Sequence, residues 1–178
     1  MSSIKRLESK LVFKNDFVLA YDDTVQFPNG EKGSYFHTKW TAPYGVAMIP
    51  YTSDKCVFIK SRRYPGTEIL IECPKGFGVE GSTPEACARR ELLEETGLEP
   101  CVLNYEGVVG ENFPTHVFSC NVTETPSTAP VSALNEGIEG LVYVPISELD
   151  HSFILRHRIS CPVTILAIPL LRSGKKDF

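Results

Sequence analysis

The stretch from Gly76 to Leu98, GFGVEGSTPEACARRELLEETGL, constrains this chain more than any other. Glycines at 76, 78 and 81 make a loop whose bare backbone can come close to another group, and the loop runs straight into a helix. Ser82 or Thr83 offers a cap, Pro84 suits the first turn, and Glu85 follows Ser82 by three positions as in a capping box. Gly97 and Pro100 stop the helix. Within it, Glu91 stands three residues from Glu94 and four from Glu95, so all three carboxylates project to one side. Each such like-charge pair costs about a few tenths of a kcal/mol in water, and more where burial lowers the dielectric. A cation among them removes that cost. Hard divalent ions with oxygen ligands fit, and ions of that kind commonly hold phosphates in their open positions. The competing reading is a solvated acidic face with Arg89 and Arg90 as intrahelical partners.

Strand-like segments surround this helix. LVFKN, FVLAYDDTVQF and GSYFHTKW are rich in β-formers, and Pro28-Asn29-Gly30 marks a turn, which predicts an N-terminal antiparallel hairpin or small sheet. GVAMIPY, KCVFIKSRRY and EILIEC read as central strands, the first two separated by Thr52-Ser53-Asp54. CVLNYEGVVG, THVFSCNVT and GLVYVP follow the helix as further strands, with a polar Pro/Ser/Thr stretch, TETPSTAPVSALNEG, bulging out before the last. One or two helices are expected from Ile146 onward. The class is therefore mixed α/β (α+β), with a mixed or largely antiparallel sheet.

The length of 178 residues and a hydrophobic share of 42% suit one well-buried core, so a single domain is expected. A net charge of -4 without a long Lys/Arg run argues against a nucleic-acid binder. There is no apolar stretch of signal-peptide or membrane-span length, so the expected location is the cytoplasm, away from membranes. The six cysteines lie far apart with no C-x-x-C pair, and are expected to be reduced thiols rather than a zinc or redox site.

The acidic stretch resembles the Nudix box, G-x5-E-x7-R-E-U-x-E-E-x-G-U with U aliphatic. Gly76, Arg90, Glu91, Leu92, Glu94, Glu95, Gly97 and Leu98 match it, and Ser82 stands where the first Glu belongs. Upstream, GVAMIPY, KCVFIKSRRYP and EILIECPKG are similar to the ADP-ribose and ADP-sugar pyrophosphatase branch, which reads like "VLLVRQYRYP...ELPAG". The likeness covers roughly residues 10 to 150. It implies the Nudix fold, a mixed β-sheet sandwiched between helices, here with an N-terminal β extension at about 1–42 and a catalytic core at about 43–178.

The same resemblance implies hydrolysis of a nucleoside diphosphate linked to another group, by water and with Mg²⁺ or Mn²⁺. ADP-ribose or an ADP-sugar, giving AMP and a sugar phosphate, is the substrate expected first. By resemblance Glu91, Glu94, Glu95 and the Gly76 carbonyl are metal ligands, and Arg90 fixes the loop against the helix. With Ser82 in place of the usual Glu, Glu80 or Glu85 is a candidate partner for Arg90. Glu139, slightly ahead of Glu136, is the candidate general base on the loop before LVYVP. Arg62 and Arg63 are candidate phosphate contacts, and Phe113 a candidate stacking surface for a base. The usual Arg after the Tyr-Pro pair is missing, since Gly66-Thr67-Glu68 follow Tyr64-Pro65. Trp40 reads as core or dimer interface, and a homodimer with contacts from the N-terminal hairpin is expected by resemblance. The alternatives are a catalytically weak Nudix-like nucleotide sensor, favoured by Ser82, and a dinucleoside-polyphosphate or RNA-end hydrolase. The acidic balance disfavours RNA.

Overall fold

A computed structural model describes residues 3–123 and 130–172. Residues 124–129, most of the first half of the polar stretch expected to bulge, lie outside the described residues. The chain divides into two compact units: one runs to Pro43 and includes Glu111–Phe113, the other holds Tyr44–Gly110 and the chain from Pro114 on.

The first unit is a small antiparallel sheet of four strands, the larger of the two forms expected. Its strands are β1 (Lys5–Glu8), β2 (Leu11–Lys14), β3 (Val18–Gln26) and β4 (Lys32–Trp40). β3 and β4 pair in continuous register from Val18↔Trp40 to Gln26↔Lys32. Around the predicted turn, Gly30 takes φ 90° and donates to the Phe27 carbonyl, which closes the chain reversal. The other edge of β3 is shared: β1 pairs with its C-terminal end and β2 with its N-terminal end. The strand β1 has no apolar alternation to announce it, because all four of its residues are exposed. Backbone pairing alone makes it a strand.

The second unit is a seven-stranded mixed sheet of β5 (Gly45–Tyr51), β6 (Lys55–Ser61), β7 (Leu70–Glu72), β8 (Lys75–Phe77), β9 (Leu103–Val109), β10 (Thr115–Asn121) and β11 (Ile138–Pro145). β10 lies parallel to β5 along its whole length, while β9 and β11 pair antiparallel with β10 and β6. β5 and β6 meet only at Tyr51↔Cys56. Beyond that contact they part, and β8 pairs with β5 while β7 pairs with β6. This divergence brings Glu72, Lys75 and Gly76, on two short strands, to one place in the sheet.

Buried side chains explain the layers. Val46, Met48, Val57 and Ile59 face one way and pack with Cys87, Ala88 and Leu92 of α1 (Pro84–Thr96). Ala47, Ile49, Cys56 and Phe58 face the other and pack with α2 (His151–Arg156) and α3 (Pro162–Arg172) through Phe153, Val163, Ala167 and Ile168. β5 and β6 are covered on both faces, which is why they read as continuous apolar runs. Full burial of Leu92 stabilises α1 on the sheet by about 1.5–3 kcal/mol. Among the described residues no helix is long and apolar enough to cross a membrane. Cys56, Cys73, Cys87 and Cys120 are free and buried, whereas Cys101 is exposed.

Candidate active site

The site is built where β8 runs into α1. β8 is held against β5 by the pairs Ala47↔Lys75, Val46↔Gly76 and Gly45↔Phe77. The loop from Gly78 to Thr83 then turns into the helix. Thr83, not Ser82, is the cap: its hydroxyl accepts from the Ala86 amide at 3.2 Å. The capping box expected from Ser82 and Glu85 does not form, because Glu85 is drawn to Arg89 at 3.0 Å, one helical turn on. Gly97 ends α1 in the left-handed region at φ 71° and donates to the Leu93 carbonyl.

Tyr44 shapes the loop. Its ring fills the space beside Gly78, where a Cβ would stand 2.1 Å from the ring, and its hydroxyl donates to the Ser82 carbonyl at 2.6 Å. Gly76 is required for a similar reason. A Cβ there would lie 2.0 Å from the Glu91 carboxyl carbon and 2.2 and 2.4 Å from its oxygens, so the carboxylate rests on bare backbone.

Arg90 gathers the acidic groups. It lies 2.7 Å from Glu91 and 3.0 Å from Glu94, and it donates to the Phe77 carbonyl at 3.2 Å, tying α1 to the strand before it. Its partners are therefore Glu91 and Glu94, and neither Glu80 nor Glu85 replaces the Glu absent at position 82. Burial opposes the Arg90 charge, but Glu91 and Glu94 outweigh it and hold the guanidinium above its ordinary pKa.

Glu91 is buried, and burial raises its pKa against the pull of Arg90, with repulsion from Glu94 and Glu136 adding to the rise. Glu95 is fully buried. Its Oε2 accepts the Lys75 amide at 2.8 Å and its Oε1 has no hydrogen-bond partner. Burial pushes its carboxyl up to about 8; the Lys75 amide and ammonium and the Arg63 charge work against the rise, while Glu136 adds to it. A buried carboxylate with an unused oxygen is costly unless something positive reaches it.

The candidate bases stand in different surroundings. Glu136 ends a 3-10 turn (Val131–Glu136) and is close enough to repel both Glu91 and Glu95. Glu139, in β11, is ion-paired with Arg62 at 2.7 Å. Between them Gly137 takes φ 73°, and a Cβ would lie 2.4 Å from the Arg62 carbonyl. Arg63 donates to the Glu136 carbonyl at 3.0 Å and lies 3.5 Å from Glu72. Glu72 also accepts the Ser61 hydroxyl at 3.0 Å and lies 2.9 Å from the Lys75 ammonium. Burial raises the Glu72 pKa, yet Lys75, Ser61 and Arg63 together bring it below its ordinary value. Glu72, Lys75 and Tyr44 are the residues that sequence reasoning left without a role. For Glu72 the available signal was a Glu between Ile71 and Cys73, inside the otherwise apolar end of EILIEC.

Phe113 belongs to the first unit, where its ring packs against Trp40 at 5.9 Å. Among the described residues no three His, Cys, Asp or Glu side chains close round one point as a finished metal cage. Glu91 and Glu94 instead have Arg90 as their counter-ion. The donor set nonetheless fits a hard divalent cation: several carboxylates on one helix face, an unspent buried oxygen on Glu95, and a backbone made bare at Gly76.

A mixed sheet covered by helices on both faces, with a glycine-bearing strand feeding an acidic helix, defines a recognisable class. Residues 41–160 match the NUDIX domain, and the chain belongs to that family. It is 32% identical over 96 residues to a methanol dehydrogenase activator of Bacillus methanolicus, covering 53% of this chain and 51% of that protein. It is also 32% identical over 94 residues to an ADP-ribose pyrophosphatase of Bacillus subtilis (strain 168), covering 52% and 50%. An ADP-sugar pyrophosphatase of Mus musculus is 32% identical over 115 residues, covering 59% of this chain and 50% of that protein. The chain thus spans about half the length of the curated relatives it matches. A crystal structure of an ADP compounds hydrolase aligns with a TM-score of 0.71 at 15% identity, over 100% of this chain and 98% of that one, and shows the fold.

Proposed function

We propose that this chain is a Nudix diphosphohydrolase that uses Mg²⁺ or Mn²⁺ to hydrolyse a nucleoside diphosphate linked to another group, with ADP-ribose or an ADP-sugar as substrate and AMP plus a sugar phosphate as products. One observation carries the reading: Glu95 is fully buried with one oxygen unpartnered, on the helix face that also bears Glu91. A structural acid in that position would be unfavourable without a cation. The similarity to pyrophosphatases supports the substrate class.

Glu91, Glu94, Glu95 and the Gly76 carbonyl would hold the ions. Bound divalent cations supply neutralisation of the diphosphate charge and a water of lowered pKa. The chain's own groups do the rest. Glu136 is the base we favour over Glu139, because it faces Glu91 and Glu95 electrostatically while Glu139 is engaged by Arg62. It takes the proton of the attacking water as the phosphorus–oxygen bond to the leaving phosphate breaks. The forked guanidiniums of Arg62 and Arg63 suit the diphosphate oxygens. Arg90 braces α1 against Phe77 and balances Glu91 and Glu94 before metal enters.

On this reading one catalytic domain spans about 43–178 with a β extension at about 1–42, and the protein acts in the cytoplasm as a homodimer. The test is release of AMP from ADP-ribose, ADP-glucose, NADH and diadenosine polyphosphates in the presence of Mg²⁺ and after chelation. Chelation is expected to abolish turnover, and Glu95→Gln to lower kcat by about a hundredfold or more with the fold intact. Undiminished turnover in Glu95→Gln would remove the metal assignment. A second reading, a nucleotide-binding sensor of low activity, is favoured by Ser82 and by the closure of Glu91 and Glu94 on Arg90. Metal-dependent binding of ADP-ribose without AMP release would select it.

A further inference from the structure

Among the described residues two buried side-chain polar atoms lack a hydrogen-bond partner, and they carry opposite charges in the same site: Oε1 of Glu95 and Nζ of Lys75. The Lys75 ammonium is ion-paired with Oε2 of Glu72 at 2.9 Å. Its backbone amide already holds the other Glu95 oxygen at 2.8 Å, which fixes α1 beside β8 at this residue. The carboxylate of Glu72 is satisfied without metal, by the Ser61 hydroxyl, by Arg63 and by Lys75. The positive charge of Lys75 is felt at both Glu72 and Glu95.

We propose that the Lys75 ammonium is a tethered cation shared by Glu72 and Glu95, and that it competes with the divalent ion for Glu95 and so sets the metal affinity of the site. This rests on the reading of Glu95 as a metal ligand given above. The physical argument is one of charge. A fixed ammonium beside a carboxylate repels an incoming dication with twice the energy it would a monovalent ion, and the buried setting screens that repulsion weakly. Between visits of the metal, the same ammonium remains paired with Glu72 beside Glu95.

The measurement is Mn²⁺ binding to the full chain without substrate, followed by electron paramagnetic resonance. It is made at one fixed pH and ionic strength for every form, so that only the charge at position 75 differs between them. Lys75→Met is expected to bind Mn²⁺ about tenfold more tightly than wild type or better, and Lys75→Arg, which keeps the charge, to match wild type. Unchanged or weaker binding in Lys75→Met overturns the proposal. Should that variant fail to fold, Lys75→Gln, which keeps a polar side chain without the charge, gives the same decision. Absence of Mn²⁺ binding in every form overturns the metal-dependent reading itself. Tighter binding in Lys75→Met with no hydrolysis of any diphosphate by wild type leaves the competition standing and removes only the hydrolase.

Discussion

Glu95 sits where the chemistry of the site and the stability of the chain pull against each other. In the folded protein burial pushes its carboxyl up to about 8, from the 4.5 of an exposed glutamate. Between those values the folded chain holds a proton that the unfolded chain has lost. The stability this contributes is complete below 4.5 and is lost as pH rises through about 8. Thermal melts in chelator should therefore show wild type losing Tm across this window relative to Glu95→Gln, and excess Mg²⁺ should remove the difference by supplying the missing cation. Equal slopes for the two proteins would show that Glu95 is not held protonated. At Gly76, a Cβ would collide with the Glu91 carboxylate at 2.0 Å. Gly76→Ala is expected to cost about 1–3 kcal/mol by chemical denaturation and to weaken Mn²⁺ binding, since the carboxylate must leave its place. The acids themselves were legible in the sequence, because helical spacing alone puts Glu91, Glu94 and Glu95 on one side. Their counter-ion was not: whether Arg90 takes Glu80, Glu85, or Glu91 with Glu94 depends on where β8 and the loop lie.

At the scale of elements, α1 shows how far local rules reach. Its two ends are expected at Ser82 or Thr83 with Pro84, and at Gly97; the structure takes Thr83 as the cap and ends the helix at Gly97. Thr83→Ala is expected to destabilise the protein by about 0.5–2 kcal/mol, whereas Ser82→Ala should change it little, as urea unfolding of the pair will test. The reverse order would return the cap to Ser82. The strands β5 and β6 were equally legible, being apolar runs bounded by turn residues. β1, β7 and β8 were not read with their bounds, since each has only three or four residues and no side-chain period survives at that length. They become strands because β3, β6 and β5 present open edges to them.

For the whole molecule, the N-terminal strands leave large apolar side chains in the open: Phe13 is 54% exposed, Phe36 64% and Trp40 48%. Exposed apolar surface of this kind supports the homodimer proposed above. Sedimentation velocity is expected to report a dimer that Phe13→Ser with Phe36→Ser converts to monomer; a wild-type monomer would end that proposal. The sequence by itself determined the mixed α/β class, the central strands, the ends of α1 and the box glutamates, all of which rest on interactions within a few residues of one another. Only the tertiary structure decided that Lys75 meets Glu72, that Glu139 pairs with Arg62, and that Phe113 packs on Trp40. The reason is physical: most of these encounters depend on how β6 and β5 diverge, on the register of β11 and on long-range packing, and no short stretch of chain encodes the energy of such contacts.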